Sequence, residues 1–78
     1  MTPAQSRAAR GLLQMTQAEL AQAAGLGQST VIDFERERRQ VAPASVAAIR
    51  AALEQAGVIF VEPNGEGAGV RLRRGAGE

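Results

Sequence analysis

The sequence predicts a mainly α fold, four short helices followed by a C-terminal β-hairpin. Two helix starts are written as capping boxes, Thr2-Pro3-Ala4-Gln5 and Thr16-Gln17-Ala18-Glu19, each with a hydroxyl at the cap and Gln or Glu three residues on. Apolar residues then recur at helical spacing as far as Ala56, with Gly25 and Gly57 as stops. Past Gly57 the period falls to that of a strand, in Val58-Ile59-Phe60-Val61 and again in Val70-Arg71-Leu72-Arg73.

The first helix has Thr2 as its cap and Pro3 at its first position, and it runs to about Leu13. Ala9, Leu12 and Leu13 are its expected buried side, and Gly11 calls for a close helix–helix contact to offset its cost of about 1 kcal/mol against Ala. In the second helix Met15 and Leu20 stand at the staple positions around the Thr16 cap, and Leu20, Ala21 and Ala24 form the inner face. Gly25 suits a left-handed C-cap, and Leu26 returns to the core. The third helix is expected from near Gln28 to about Glu37. Val31, Phe34 and Glu35 turn inward, while Gln28, Ser29, Ile32, Asp33 and Arg36 lie on the other side. An outward Ile32 is unusual on a purely solvated face, and covering part of the core or a dimer seam is its alternative use.

Residues 38–42 form a loop. Pro43 opens a fourth helix with Val46, Ile49, Leu53 and Ala56 on one side, and Gly57 ends it. Residues 63–69 are a glycine-rich turn with Asn64-Gly65 as its strongest pair. The chain thus divides into a helical domain over 1–57, a hairpin over 58–74 and a flexible tail over 75–78.

Composition narrows the function. Seventy-eight residues make one domain, and a chain of that size buries only about 60% of its unfolded surface, so a dimer would be a natural source of extra core. There is no cysteine and no histidine, which removes disulfides, thiolate metal sites and the commonest general base. No nucleophile–base pair can be assembled from Ser6, Ser29 or Ser45 with His or Lys, so neither an enzyme, a metal site nor a cofactor is expected. All nine basic residues are arginine, clustered at Arg36, Arg38 and Arg39 and at Arg71, Arg73 and Arg74, although the net charge is only +1. Arginine forks match phosphate geometry, and solvated surface charge is the plainer use of the same clusters. No apolar run follows Met1 that could serve as a signal peptide or membrane span, so a soluble cytosolic protein is expected.

The segment from Met15 to Glu35 has the build of a helix-turn-helix, in which one helix braces a second that enters the DNA major groove. Arg10 and Leu13, then Thr16-Gln17-Ala18-Glu19-Leu20-Ala21, Gly25, Gln28-Ser29-Thr30-Val31 and Glu35 together resemble the Xre-type, phage-repressor-like (Cro-like) helix-turn-helix regulators. The likeness covers about Arg7 to Leu53, with four helices in the family's order. It implies that Gln17 touches a DNA phosphate, that Gln28 and Ser29 read base edges, and that Asp33 sits at another base-reading position. It also implies a structural ion pair of Arg10 with Glu35, and backbone contacts by Arg36, Arg38 and Arg39 in the loop that follows.

The side chains suit these roles. Gln can bond adenine N6 and N7 together, Ser29 can donate or accept, Ile32 or the Thr30 methyl can meet a thymine methyl, and Asp33 can accept from cytosine N4. Glu37 stands where many relatives carry glycine; the helix therefore runs on or turns differently there, with Glu37 free to pair with a neighbouring arginine.

The hairpin lies outside the minimal family domain. Val58, Ile59, Phe60, Val61, Val70 and Leu72 are its expected dimerisation residues, pairing between subunits and removing an exposed edge. A lid over the chain's own helices is the alternative, and Arg71, Arg73 and Arg74 facing DNA or an acidic partner is a further one. The function implied is a sequence-specific transcriptional regulator, a repressor by default, that binds double-stranded DNA as a homodimer on an inverted repeat. The alternatives are an antitoxin that binds DNA and masks a toxin or other protein partner, and an interaction module that has lost DNA binding.

Overall fold

In the computed structural model, which describes residues 1–63 and 65–75, four helices and one antiparallel hairpin share a single core. The elements are α1 (Pro3–Leu13), α2 (Gln17–Ala24), α3 (Gln28–Glu35), α4 (Pro43–Gln55), β1 (Val58–Val61) and β2 (Gly69–Leu72). The expected turn residue Asn64 and tail residues 76–78 lie outside the described residues. No helix is long and apolar enough to cross a membrane among those described.

Both capping boxes close. The Gln5 amide donates to Thr2 Oγ1 at 3.1 Å and the Thr2 amide to Gln5 Oε1 at 2.8 Å. At α2 the Glu19 amide donates to Thr16 Oγ1 at 3.0 Å and the Thr16 amide to Glu19 Oε1 at 2.9 Å. Each box satisfies two amides that a helix start otherwise leaves open. Gly25 ends α2 at φ 70°, with the Leu26 amide reaching back to Ala21 O at 2.9 Å, and this turn sends the chain directly into α3.

The core joins every element. Leu20, Val31, Ile49, Leu53 and Val58 are its largest fully buried apolar side chains, with Ala9, Phe34, Val41 and Phe60 around them. Two expectations for α1 fail. Leu12 is 44% exposed, while Ala9 is buried and Leu13 packs on the core as expected, with Gln5 and Ser6 joining Ala9 in the buried row. A Cβ placed on Gly11 would meet nothing within 4 Å, so no close helix contact explains that glycine. On α4 the buried positions are Ile49, Ala52 and Leu53, while Ala56 is half-buried.

The hairpin belongs to this core. Its register pairs Val58 with Leu72, Ile59 with Arg71, Phe60 with Val70 and Val61 with Gly69. Alternation therefore puts Val58, Phe60, Val70 and Leu72 on one face. That face packs on the helices, β1 against α4 and β2 against α1. Val58 and Phe60 are buried within their own chain, so the expected dimerisation set divides, with only Ile59 and Val61 on the outer face. The boundary at residue 57 is likewise no break in the core, because Val58 packs in one cluster with Ile49 and Leu53.

Polar contacts tie the hairpin down. Gln5 Nε2 donates to Val61 O at 3.3 Å and to Gly69 O at 3.0 Å. Arg50 lies over the Phe60 ring, 5.0 Å from its centroid, and reaches Glu54 and Glu62 at 3.4 and 3.1 Å. Arg73 Nη2 donates to Glu54 O at 3.1 Å, placing a cation at the C-terminus of α4 where the helix dipole favours it.

Candidate nucleic-acid interface

The inner side of α3 fixes what its outer side presents. Val31, Phe34 and Glu35 are buried, and Glu35 is wholly so. A buried carboxylate is costly unless it is paired and hydrogen-bonded, and Glu35 is both. Arg10 Nε donates to its two oxygens at 3.0 and 2.9 Å, and Arg10 Nη2 lies 2.7 Å from Oε1. Ser6 Oγ donates to Oε2 at 2.6 Å and Gln17 Nε2 to Oε1 at 3.1 Å. Arg7 Nη1 donates to the Glu35 carbonyl. Burial alone would raise the Glu35 pKa; the hydrogen bonds from Arg10, Ser6 and Gln17 and the Arg10 charge outweigh it and hold the carboxyl below its ordinary range.

This cluster joins α1 and the start of α2 to the end of α3, so the recognition segment is braced at its C-terminal end. It also alters the expectation for Gln17. One N–H of its side-chain amide is held by Glu35, so the second side-chain N–H and the main-chain N–H at the first position of α2 are what it has for a phosphate.

The outer side is open. Gln28 and Ser29 are exposed at the start of α3, and the cap residue, Gly27, offers no side-chain acceptor to the first amides. Ile32 and Asp33 are half-buried one turn on, and Thr30 is half-buried at the edge of this face. Arg36 and Arg38 are exposed where the helix ends. Asp33 is paired: Arg39 Nε donates to its Oδ2 at 2.9 Å. The face therefore offers an amide, a hydroxyl and an aliphatic side chain flanked by arginines.

α2 and α3, eight residues each and joined across Gly25, Leu26 and Gly27, form a two-helix unit clamped by α1 and α4. A family model, HTH_3, described as helix-turn-helix, matches residues 7–56. The chain belongs to the Cro/C1-type helix-turn-helix family. The match spans most of the four-helix part and stops before β1. Members of this family are DNA-binding regulators. A search of curated proteins returns no match.

After α3 the chain makes a left-handed turn without a glycine. α3 ends at Glu35, two residues before the sequence suggested, and Glu37 takes φ 55°. The Arg38 amide donates to Asp33 O at 3.0 Å and the Glu37 amide to Phe34 O at 3.2 Å, the two bonds of a Schellman ending. Glu37 makes no ion pair within 4.0 Å among the described residues, so the expected pairing with a neighbouring arginine is absent there.

Sequence reasoning missed the supporting roles of Ser6 and Arg7 around Glu35, and of Gln5 toward the hairpin. Ser6 carries no signal in the sequence beyond its place one helical turn before Arg10. Gln5 was legible as a capping partner, not as a clamp on strands nearly sixty residues away.

Proposed function

We propose that this chain is a sequence-specific transcriptional regulator, a repressor that binds an inverted repeat in double-stranded DNA as a homodimer. The open outer face of α3 carries this reading. Gln28 and Ser29 have no partner among the described side-chain hydrogen bonds, while every polar group on the inner side is satisfied. Side chains left free at a helix start, beside uncapped amides, suit a base edge and an adjoining phosphate. We assign base reading to Gln28, Ser29 and Ile32, with Thr30 and Asp33 at the margin. Arg36, Arg38, Arg39 and Gln17 take the backbone. The homodimer would place two copies of α3 about 34 Å apart in successive major grooves. Ile59 and Val61, on the outer face of the hairpin, together with its unpaired strand edges, are what a second copy would cover.

Selection from a random duplex pool, followed by titration of the selected and a scrambled duplex, tests the reading. Gln28→Ala should lose about 1–3 kcal/mol of preference for the selected site while leaving scrambled binding unchanged. Arg38→Ala should weaken both duplexes alike and lower the salt slope by about 1. Equal losses on both duplexes for Gln28→Ala would remove the base-reading assignment, and a pool that yields no palindrome would remove the homodimer.

A further inference from the structure

The contact between Asp33 and Arg39 carries an assignment that neither residue suggests alone. They are six positions apart, and the left-handed turn at Glu37 brings the second back beside the first. Asp33 is held twice by this turn: its carbonyl accepts from the Arg38 amide at 3.0 Å, and its Oδ2 accepts from Arg39 Nε at 2.9 Å. Arg39 borders an open cleft with Phe34, Val41 and Val46, and a carboxylate holds its Nε. The terminal Nη1 and Nη2 edge has no partner among the described hydrogen bonds, and the side chain is 52% exposed against 23% for Asp33. A guanidinium held through Nε keeps that edge for a planar pair of acceptors.

We propose that Asp33 is a positioning residue that aims Arg39, and that Arg39 makes the contact, as a two-pronged donor to a pair of acceptors on the DNA. This rests on the DNA-binding reading above and corrects one part of it, since Asp33 does not itself meet a base. A bare carboxylate at this place would repel phosphate; paired with Arg39 the same carboxylate strengthens binding. The acceptor pair is either guanine O6 and N7 or two oxygens of one phosphate, and both have the geometry the fork requires.

A double-mutant cycle on the full chain tests this, with Kd measured on the selected and scrambled duplexes and thermal unfolding recorded for each variant. Arg39→Ala should weaken binding to the selected duplex roughly 10- to 100-fold. Asp33→Ala should lose part of that in the wild-type background and almost nothing once Arg39 is alanine. Asp33→Asn, which keeps an oxygen for Nε, should restore most of the loss, whereas Arg39→Lys, which keeps only charge, should not. A loss confined to the selected duplex identifies guanine, and one shared by both duplexes identifies phosphate. Additive losses would show that Asp33 acts independently and would overturn the proposal, as would tighter binding by Asp33→Ala in both backgrounds. Failure of the wild-type chain to bind any duplex sinks the DNA-binding reading instead, so the two failures are distinct.

Discussion

Replacing Glu37 by glycine should make this protein more stable. Glu37 holds φ 55°, a conformation that costs an L-residue about 1–2 kcal/mol. Glycine adopts it freely but is more flexible when unfolded, which returns about 0.5–1 kcal/mol of that gain. The Glu37 side chain makes no hydrogen bond or ion pair among the described residues that the substitution would remove. The net expectation is a gain of about 0.5–1 kcal/mol, or roughly 2–8 °C in Tm for a domain of this size. Gln14 provides an internal control, because it closes a different helix, α1, at the same φ of 55°. Gln14→Gly should give a similar gain in Tm without altering DNA affinity. Glu37→Gly and Glu37→Gln should both tighten DNA binding, by removing an acid beside Arg36 and Arg38, but only the glycine variant should raise Tm. Calorimetry of the three variants at low protein concentration, with duplex titrations in parallel, separates backbone strain from charge. A Tm for Glu37→Gly equal to or below wild type would refute the strain account, and more decisively if Gln14→Gly were raised.

Four further variants probe the packing. Glu35→Gln should cost about 3 kcal/mol by leaving donors from Arg10, Ser6 and Gln17 facing an amide; because the folded pKa of Glu35 lies below its unfolded value, the wild-type advantage is complete above the unfolded range and shrinks as pH falls through the folded one, which urea unfolding between pH 7 and about pH 2 would show. Gln5→Ala should cost about 1–3 kcal/mol by orphaning the carbonyls of Val61 and Gly69, and amide exchange should quicken in β1 and β2 more than in α4; a uniform change would contradict the clamp. Leu12→Gln should shift stability by no more than about 0.5 kcal/mol, against about 2–5 kcal/mol for Leu53→Ala, as chemical denaturation would show.

The helices were legible in the sequence because their ends are written locally. Thr2, Pro3, Thr16, Gly25 and Pro43 act within a few residues of themselves, and the structure uses each of them at the predicted place. Gly25 and the polar start of α3 also made the helix-turn-helix readable before any packing was known. What local patterns do not encode is which way an ambiguous residue turns. Leu12 and Ala9 both satisfy a helical stripe on α1, but the hairpin is bonded to α1 at Gln5, near its start, and Leu12, two turns further along the same row, stays exposed. The hairpin was legible as strands from the short apolar run at residues 58–61, the alternation at 70–73 and the glycine-rich turn between them. Its partner was not, because a face of Val58, Phe60, Val70 and Leu72 fits equally well on a second subunit or on the chain's own helices. Glu37 shows the opposite limit: its side chain argued against a left-handed turn, but the Schellman bonds and the packing of Val41 beyond it hold the turn regardless.

α1 contains the reason these parts form one unit. Gln5 grips the far end of the hairpin, and Ser6, Arg7 and Arg10, the next polar residues along the helix, all grip Glu35. A helix of eleven residues thus bonds both the C-terminal strands and the last residue of α3. α1 is therefore the element that the hairpin and the end of α3 share. The Glu35 cluster lies one turn further along the same rigid helix, immediately before the arginines at positions 36, 38 and 39. Loss of cooperativity between these ends in Gln5→Ala, with the Glu35 cluster left intact, would show as hairpin opening at free energies well below global unfolding.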